Sequence, residues 1–195
     1  MRKLEDLVQR AKKLKEKGLT TGEIADELNI SRETALWLLT QGDVTPADIY
    51  VSWKSIAKNA SRMRHIASIM VDMIREVAEP EVVIGIATSG IPLATLVAEE
   101  LGCSLAIFYP RKLKWENKEE ERLEGVMSEN FARVDGKKCV VVDDVISTGR
   151  TIEDVASYAE KRDAKIQCAC VIVDKEGRDR IAGIPVVSVF RIIRL

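Results

Sequence analysis

The stretch Val140-Val141-Val142-Asp143-Asp144-Val145-Ile146-Ser147-Thr148-Gly149-Arg150-Thr151 decides the fold. The Cys139–Val142 run that leads into it is unbroken, apolar and largely β-branched, too apolar for a strand with one wet face, so it reads as a buried parallel strand. Asp143 and Asp144 then put two adjacent carboxylates at the carboxyl end of that strand, where open α/β sheets bind their ligands. Ser147, Thr148, Gly149, Arg150 and Thr151 bring hydroxyls and backbone amides to the start of Ile152–Tyr158, whose spacing is helical. A loop of small residues feeding a helix N-terminus is a phosphate cradle. Two acids beside an anion site suit a ligand that carries both a phosphate and a diol, and a ribose 5-phosphate has both. Acidic pairs also end strands in other doubly wound domains. The offsets of the acid pair, Ser-Thr-Gly and Thr favour the phosphoribosyl reading.

A chain of 195 residues suits one ordinary domain plus a small one, and its 46% apolar share is enough to fill a core. The net charge of −1 excludes a generic polyanion binder. No apolar run reaches the roughly 20 residues that span a bilayer, and Met1-Arg2-Lys3-Leu4-Glu5-Asp6 lacks a signal's apolar stretch. A cytoplasmic location without membrane contact is the expectation. Cys103, Cys139, Cys168 and Cys170 all fall in or beside expected strands, with Cys168 and Cys170 on one face. No Cys-x-x-Cys pair exists and His65 is the sole histidine, so a zinc site is not expected.

Residues 1–42 read as a separate unit. Leu4, Leu7, Val8, Ala11 and Leu14 recur at helical spacing, and Gly18 is placed to end that helix. Thr20-Thr21-Gly22-Glu23 has the form of a capping box. Ile24, Ala25 and Leu28 line the short helix it opens, and Asn29 can adopt the left-handed turn that closes it. Ser31 caps a third helix, Arg32–Leu39, which Gly42 stops. Two short helices across a tight turn make a helix-turn-helix. Residues 17–39 resemble the DNA-binding version, although glycine is commoner where Asn29 stands. Normal docking of that motif would bring Ser31, Arg32, Glu33, Thr34 and Trp37 to the major groove, with Lys12, Lys13, Lys15 and Lys17 near phosphates. A three-helix unit used only for packing or dimerisation is the alternative. A single head binds weakly, on the order of 10⁻⁴–10⁻⁶ M, so useful binding to double-stranded DNA predicts a homodimer.

Residues 43–52, with Pro46, read as a linker, and a long amphipathic helix is expected from Trp53 to Val77. Strands are expected at Glu81–Ala87, Ser104–Tyr109, Val126–Val134, Lys165–Val173 and Pro185–Ile193. Thr88-Ser89-Gly90-Ile91-Pro92-Leu93-Ala94 turns from the first of these into a helix and offers a second set of amides at a strand end.

These motifs carry a resemblance. Residues 53–195 resemble a type I phosphoribosyltransferase domain, a mostly parallel doubly wound α/β sheet, and Val140–Thr151 looks like its phosphoribosyl-diphosphate (PRPP) motif. The resemblance implies PRPP contacts at Thr88, Ser89, Gly90, Asp143, Asp144, Ser147, Thr148, Gly149, Arg150 and Thr151. Magnesium is implied only as the companion of PRPP, with no direct site on protein side chains. The Thr88–Gly90 loop is similar to the diphosphate loop of orotate phosphoribosyltransferases, where a non-proline cis peptide is often found. By position, Lys175 matches an arginine that holds the orotate carboxylate; lysine keeps the charge and loses the bidentate fork. Arg111 and Lys112 resemble the start of that family's Arg-Lys-x-x-Lys-x-His catalytic pattern. Lys114 comes one position early, however, and no histidine follows. Glu116, Glu119, Glu120, Glu121 and Glu124 crowd the same segment, and negative charge opposes closure over a polyanion.

With a helix-turn-helix fused in front, the whole chain resembles the archaeal orotate-phosphoribosyltransferase-like regulators of sugar catabolism, the GfcR family. That resemblance implies a DNA-binding transcriptional regulator sensing a phosphorylated effector (PRPP, a nucleotide or a sugar phosphate) and controlling central sugar or nucleotide metabolism. The alternative is an active orotate-type transferase making a nucleotide from PRPP and a base, with Arg111, Lys112 and Lys114 as its catalytic candidates.

Overall fold

The computed structural model describes residues 2–40, 48–110 and 125–193. The chain divides into two compact units, Met1–Trp53 and Lys54–Leu195.

In the first unit, three amphipathic helices bury their apolar stripes against one another: α1 (Arg2–Glu16), α2 (Thr21–Leu28) and α3 (Arg32–Thr40). Ala11, Ile24 and Ala35 are wholly buried where they meet, and the two alanines let the backbones approach. The capping box forms as expected. Glu23 N–H donates to Thr20 Oγ1 at 3.3 Å, and Thr20 N–H donates to Glu23 Oε2 at 2.6 Å. Asn29 takes the left-handed conformation (φ 54, ψ 44), and the following Ile30 N–H closes onto the Ala25 carbonyl at 2.9 Å. The described part of the expected 43–52 linker is tied to this unit instead. Ser31 N–H donates to Asp48 Oδ2 at 2.6 Å, and Tyr50 takes a 2.8 Å hydrogen bond from Arg10 while packing on the three-helix core. Gly42 and Pro46 lie outside the described residues.

The second unit is built on buried strands whose order is β3-β2-β1-β4-β5-β7-β6. The strands are β1 (Val82–Ile86), β2 (Ser104–Tyr109), β3 (Val126–Met127), β4 (Lys138–Ile146), β5 (Lys165–Asp174), β6 (Arg180–Ile181) and β7 (Ile184–Arg191). Every pairing from β2 through β7 is parallel, and only the short edge strands β3 and β6 run antiparallel. This is a mostly parallel α/β sheet, as the resemblance implied.

The period-2 alternation sorts side chains to two faces. Val82, Ile84, Val141 and Val171 share one cluster with Ile152 and Val155 of α7 (Arg150–Glu160). The opposite face takes Cys168 and Cys170, which sit in register with Val140 and Val142. Cys170 Sγ lies 3.9 Å from the Met70 carbonyl of α5 (Ala60–Arg75). Burial pushes the Cys168 thiol up to about 12, and the Cys170 thiol rises too, through burial and its neighbour Cys168. These cysteines are core residues.

Three expectations are corrected. The single helix from Trp53 to Val77 is two, α4 (Lys54–Ala57) and α5, because Asn59 adopts an extended conformation and caps α5 by accepting from Arg62 N–H at 3.0 Å. The Val126–Val134 strand stops at Met127, where Glu129-Asn130 turns the chain; Ser128 and Ala132 still donate to the Ile107 and Leu105 carbonyls of β2. Lastly, β4 runs on to Ile146, so Asp143 and Asp144 lie within the strand and not beyond it. Among the described residues, no helix is long and apolar enough to cross a membrane.

Candidate functional site

From β1 the chain proceeds outward to β2 on one side, while β4 lies on the other. The strand order therefore reverses between β1 and β4, and in open α/β sheets the carboxyl ends on either side of such a reversal are the favoured ligand position. Both sequence motifs arrive there. β1 feeds Thr88 and Ser89 into α6 (Gly90–Leu101), and β4 feeds Ser147–Gly149 into α7.

The two helix starts differ from those of α2 and α5. Whereas α2 and α5 are capped by the Thr20 and Asn59 side chains, neither α6 nor α7 receives a side-chain cap from Ser89 or Gly149. First-turn amides carry the positive end of the helix dipole and suit an anion. Thr88 and Ser89 are exposed, and the peptide bond between Ala87 and Thr88 is cis, the type of bond implied by the resemblance for this loop.

The two motifs touch. A Cβ at Gly90 would lie 2.7 Å from the Val142 carbonyl and 3.0 Å from Asp143 Oδ1, so only glycine lets α6 begin against β4. Asp143 is half-buried and Asp144 is 4% exposed. Each carboxylate accepts the next backbone N–H, Asp144 N and Val145 N, at 2.9 Å.

Gly149 has φ +77, a conformation that side chains disfavour, and a Cβ there would meet Ile181 Cδ1 at 2.9 Å. Ile181, in β6, is thus packed against the candidate phosphate loop. Arg178 reaches the same loop, donating to the Thr148 carbonyl at 3.3 Å and pairing with Glu176 at 2.9 Å. Neither Arg178 nor Ile181 was legible as a site residue. Their only local sign is that they follow a turn at the carboxyl end of β5.

Lys175 is half-buried, and its N–H donates to the Ile146 carbonyl at 2.9 Å, which sets the segment after β5 beside the start of the Ser147–Thr151 loop. Asp174 fixes that segment from inside. Its Oδ1 accepts from Glu176 N and Gly177 N at 3.0 Å each. Its Oδ2 lies 3.2 Å from Arg191 Nε, close enough for an ion pair though not aligned as a hydrogen bond. Arg111, Lys112 and Lys114, the catalytic candidates, lie outside the described residues.

In the three-helix unit, Arg32 and Glu33 are exposed at the start of α3. Ser31 and Thr34 are half-buried and bonded to each other through their hydroxyls at 2.8 Å. Trp37 is half-buried against the unit's own core, and its neighbour Leu36 is 52% exposed.

Residues 52–193 match the phosphoribosyl transferase domain family. Among solved structures, adenine phosphoribosyltransferase from Thermoanaerobacter pseudethanolicus superposes with a TM-score of 0.60 over 77% of this chain and 91% of that one; at 17% identity the likeness is one of fold. Over the full length of both chains, this sequence is 58% identical to the transcriptional regulator GfcR of Archaeoglobus fulgidus and 44% identical to that of Methanosarcina mazei. The chain belongs to the GfcR family of transcriptional regulators and carries a phosphoribosyltransferase domain.

Proposed function

We propose that this protein binds double-stranded DNA through a helix-turn-helix formed by α2 and α3, and senses a phosphoribosyl or sugar-phosphate metabolite in the crevice between β1 and β4. Through that coupling it would control genes of central sugar or nucleotide metabolism. The observation that carries the sensing half is the contact of Gly90 with Asp143, which joins two uncapped helix starts and an acid pair around one crevice. Backbone amides at both helix starts suit phosphate groups, and the carboxylates suit ribose hydroxyls. Among the described residues no group of three or more His, Cys, Asp or Glu side chains could hold a metal. The donor set therefore fits magnesium only as the companion of a ligand's phosphates, with no site built from protein side chains alone. When bound, the ion would neutralise diphosphate charge beside the two acids.

The DNA half is supported by the capped helix pair, the exposed Arg32 at the start of α3, and relatives that are named transcriptional regulators. A homodimer supplies the two heads that useful affinity requires. The reading predicts that duplexes selected from a random pool are bound in a gel shift, and that Arg32→Ala weakens this binding about tenfold, within the roughly 1–3 kcal/mol of one base contact. It also predicts calorimetric binding of PRPP with magnesium that the double variant Asp143→Asn, Asp144→Asn loses. An orotate phosphoribosyltransferase would instead release diphosphate from PRPP, magnesium and orotate at a rate above background.

A further inference from the structure

The exposed face of α3 is not uniformly polar. Ala35 and Leu38 are buried, whereas Leu36 on the same helix is 52% exposed. Leu36 shares a shallow concavity of about 580 Å³ with Lys15, Thr20, Thr21, Arg32 and Glu33. Arg32 is spread over the start of α2, where a Cβ at Gly22 would lie 3.2 Å from its Nη2, so the guanidinium is laid along this concavity. Lys15 adds a second cation from α1, and exposed Lys12, Lys13 and Lys17 lie on or just beyond the same helix.

An apolar protein surface would call for an apolar rim. Here one branched aliphatic side chain is framed by an arginine fork, a lysine, two hydroxyl-bearing threonines and one carboxylate, Glu33, which can accept from a cytosine amino group. That set is complementary to the edge of a DNA major groove, which offers guanine acceptors, anionic phosphates and one apolar group, the C5 methyl of thymine. We propose that Leu36 is a specificity-determining residue that packs on a thymine methyl. Positions 32 and 36 are one helical turn apart, about 5–6 Å. At about 3.4 Å per base step, that places the thymine within about two base pairs of the base met by Arg32. The assignment rests on the DNA-binding reading and adds the base that the head selects.

The test uses the full-length protein and a random-sequence duplex pool. Wild type selects a consensus, and the selected duplex is then remade with each thymine replaced in turn by deoxyuridine, which removes only the methyl. One thymine in each half-site is expected to lose affinity on the order of fourfold, the worth of one buried methyl. Leu36→Ala is expected to bind the thymine and deoxyuridine duplexes alike, while Leu36→Met retains the preference. A flat deoxyuridine series with the wild type, or an alanine variant that keeps the thymine dependence, overturns the assignment of Leu36 alone. Failure of the wild type to select any consensus overturns the DNA-binding reading and this assignment with it.

Discussion

Gly90 stands so close to Asp143 that a Cβ at position 90 would lie 3.1 Å from the Asp143 Cα as well as 3.0 Å from its carboxylate. The nearest obstacle, the Val142 carbonyl at 2.7 Å, is backbone and cannot swing away as a side chain could. Gly90→Ala should therefore push α6 off the end of β4. Overpacking of this kind costs about 1–3 kcal/mol. Urea unfolding should show that loss, and calorimetry should show PRPP binding weakened further, because the displaced part is the crevice itself. Unchanged stability and binding would mean that α6 does not begin where it is placed.

Arg178 ties the segment after β5 to the phosphate loop through the Thr148 carbonyl. Its side chain is 45% exposed, so the contribution is that of an ordinary hydrogen bond, about 0.5–1.5 kcal/mol. Arg178→Ala should weaken ribose 5-phosphate binding by about 2–10-fold with little change in thermal unfolding. Arg178→Lys should recover part of the loss. A calorimetric titration of the three proteins decides it; equal affinities would remove Arg178 from the site.

How much of this could be read from residues alone depends on the range of the interaction. The Thr20–Glu23 box and the left-handed Asn29 are decided within four residues, so their side-chain chemistry announces them. The buried strand at Cys139–Val142 was equally plain, since a β-branched run has few other homes. Its true end at Ile146 was hidden, because two aspartates look like a loop until partners from β5 are known. Asn59 split a helix that periodicity alone would continue. Arg178 meets Thr148 across 30 residues of chain, and no local pattern records that contact.

The left-handed Asn29 carries a stability prediction. A side chain that lacks the local hydrogen bonding of asparagine costs about 1–2 kcal/mol in this conformation. Asn29→Ala should lower stability by about that amount, while Asn29→Gly should be neutral or slightly stabilising. Urea unfolding followed by circular dichroism checks both. Equal losses for the two variants would rule out the left-handed turn as the cause.

The buried thiols give the domain an alkaline limit. Burial, then the nearby Glu81 carboxylate, pushes the Cys139 thiol from 9.0 to about 11, and burial alone takes Cys168 to about 12. A thiol raised in the folded state favours folding fully below its unfolded value, and that contribution fades as pH climbs from 9 through the folded value. The urea midpoint should therefore fall between pH 9 and 11, and Cys139→Ala should flatten the decline. A slope that is unchanged in the variant would place the alkaline loss elsewhere.

The central claim is that ligand in the crevice and DNA on the head are linked. A fluorescence-anisotropy titration of the selected duplex, with and without saturating PRPP and magnesium, measures that linkage directly. Coupling of about 1–3 kcal/mol predicts a change in DNA affinity of roughly 5–150-fold. The Asp143→Asn, Asp144→Asn variant should show no such change. Wild-type DNA affinity that stays the same when PRPP is bound would contradict the account.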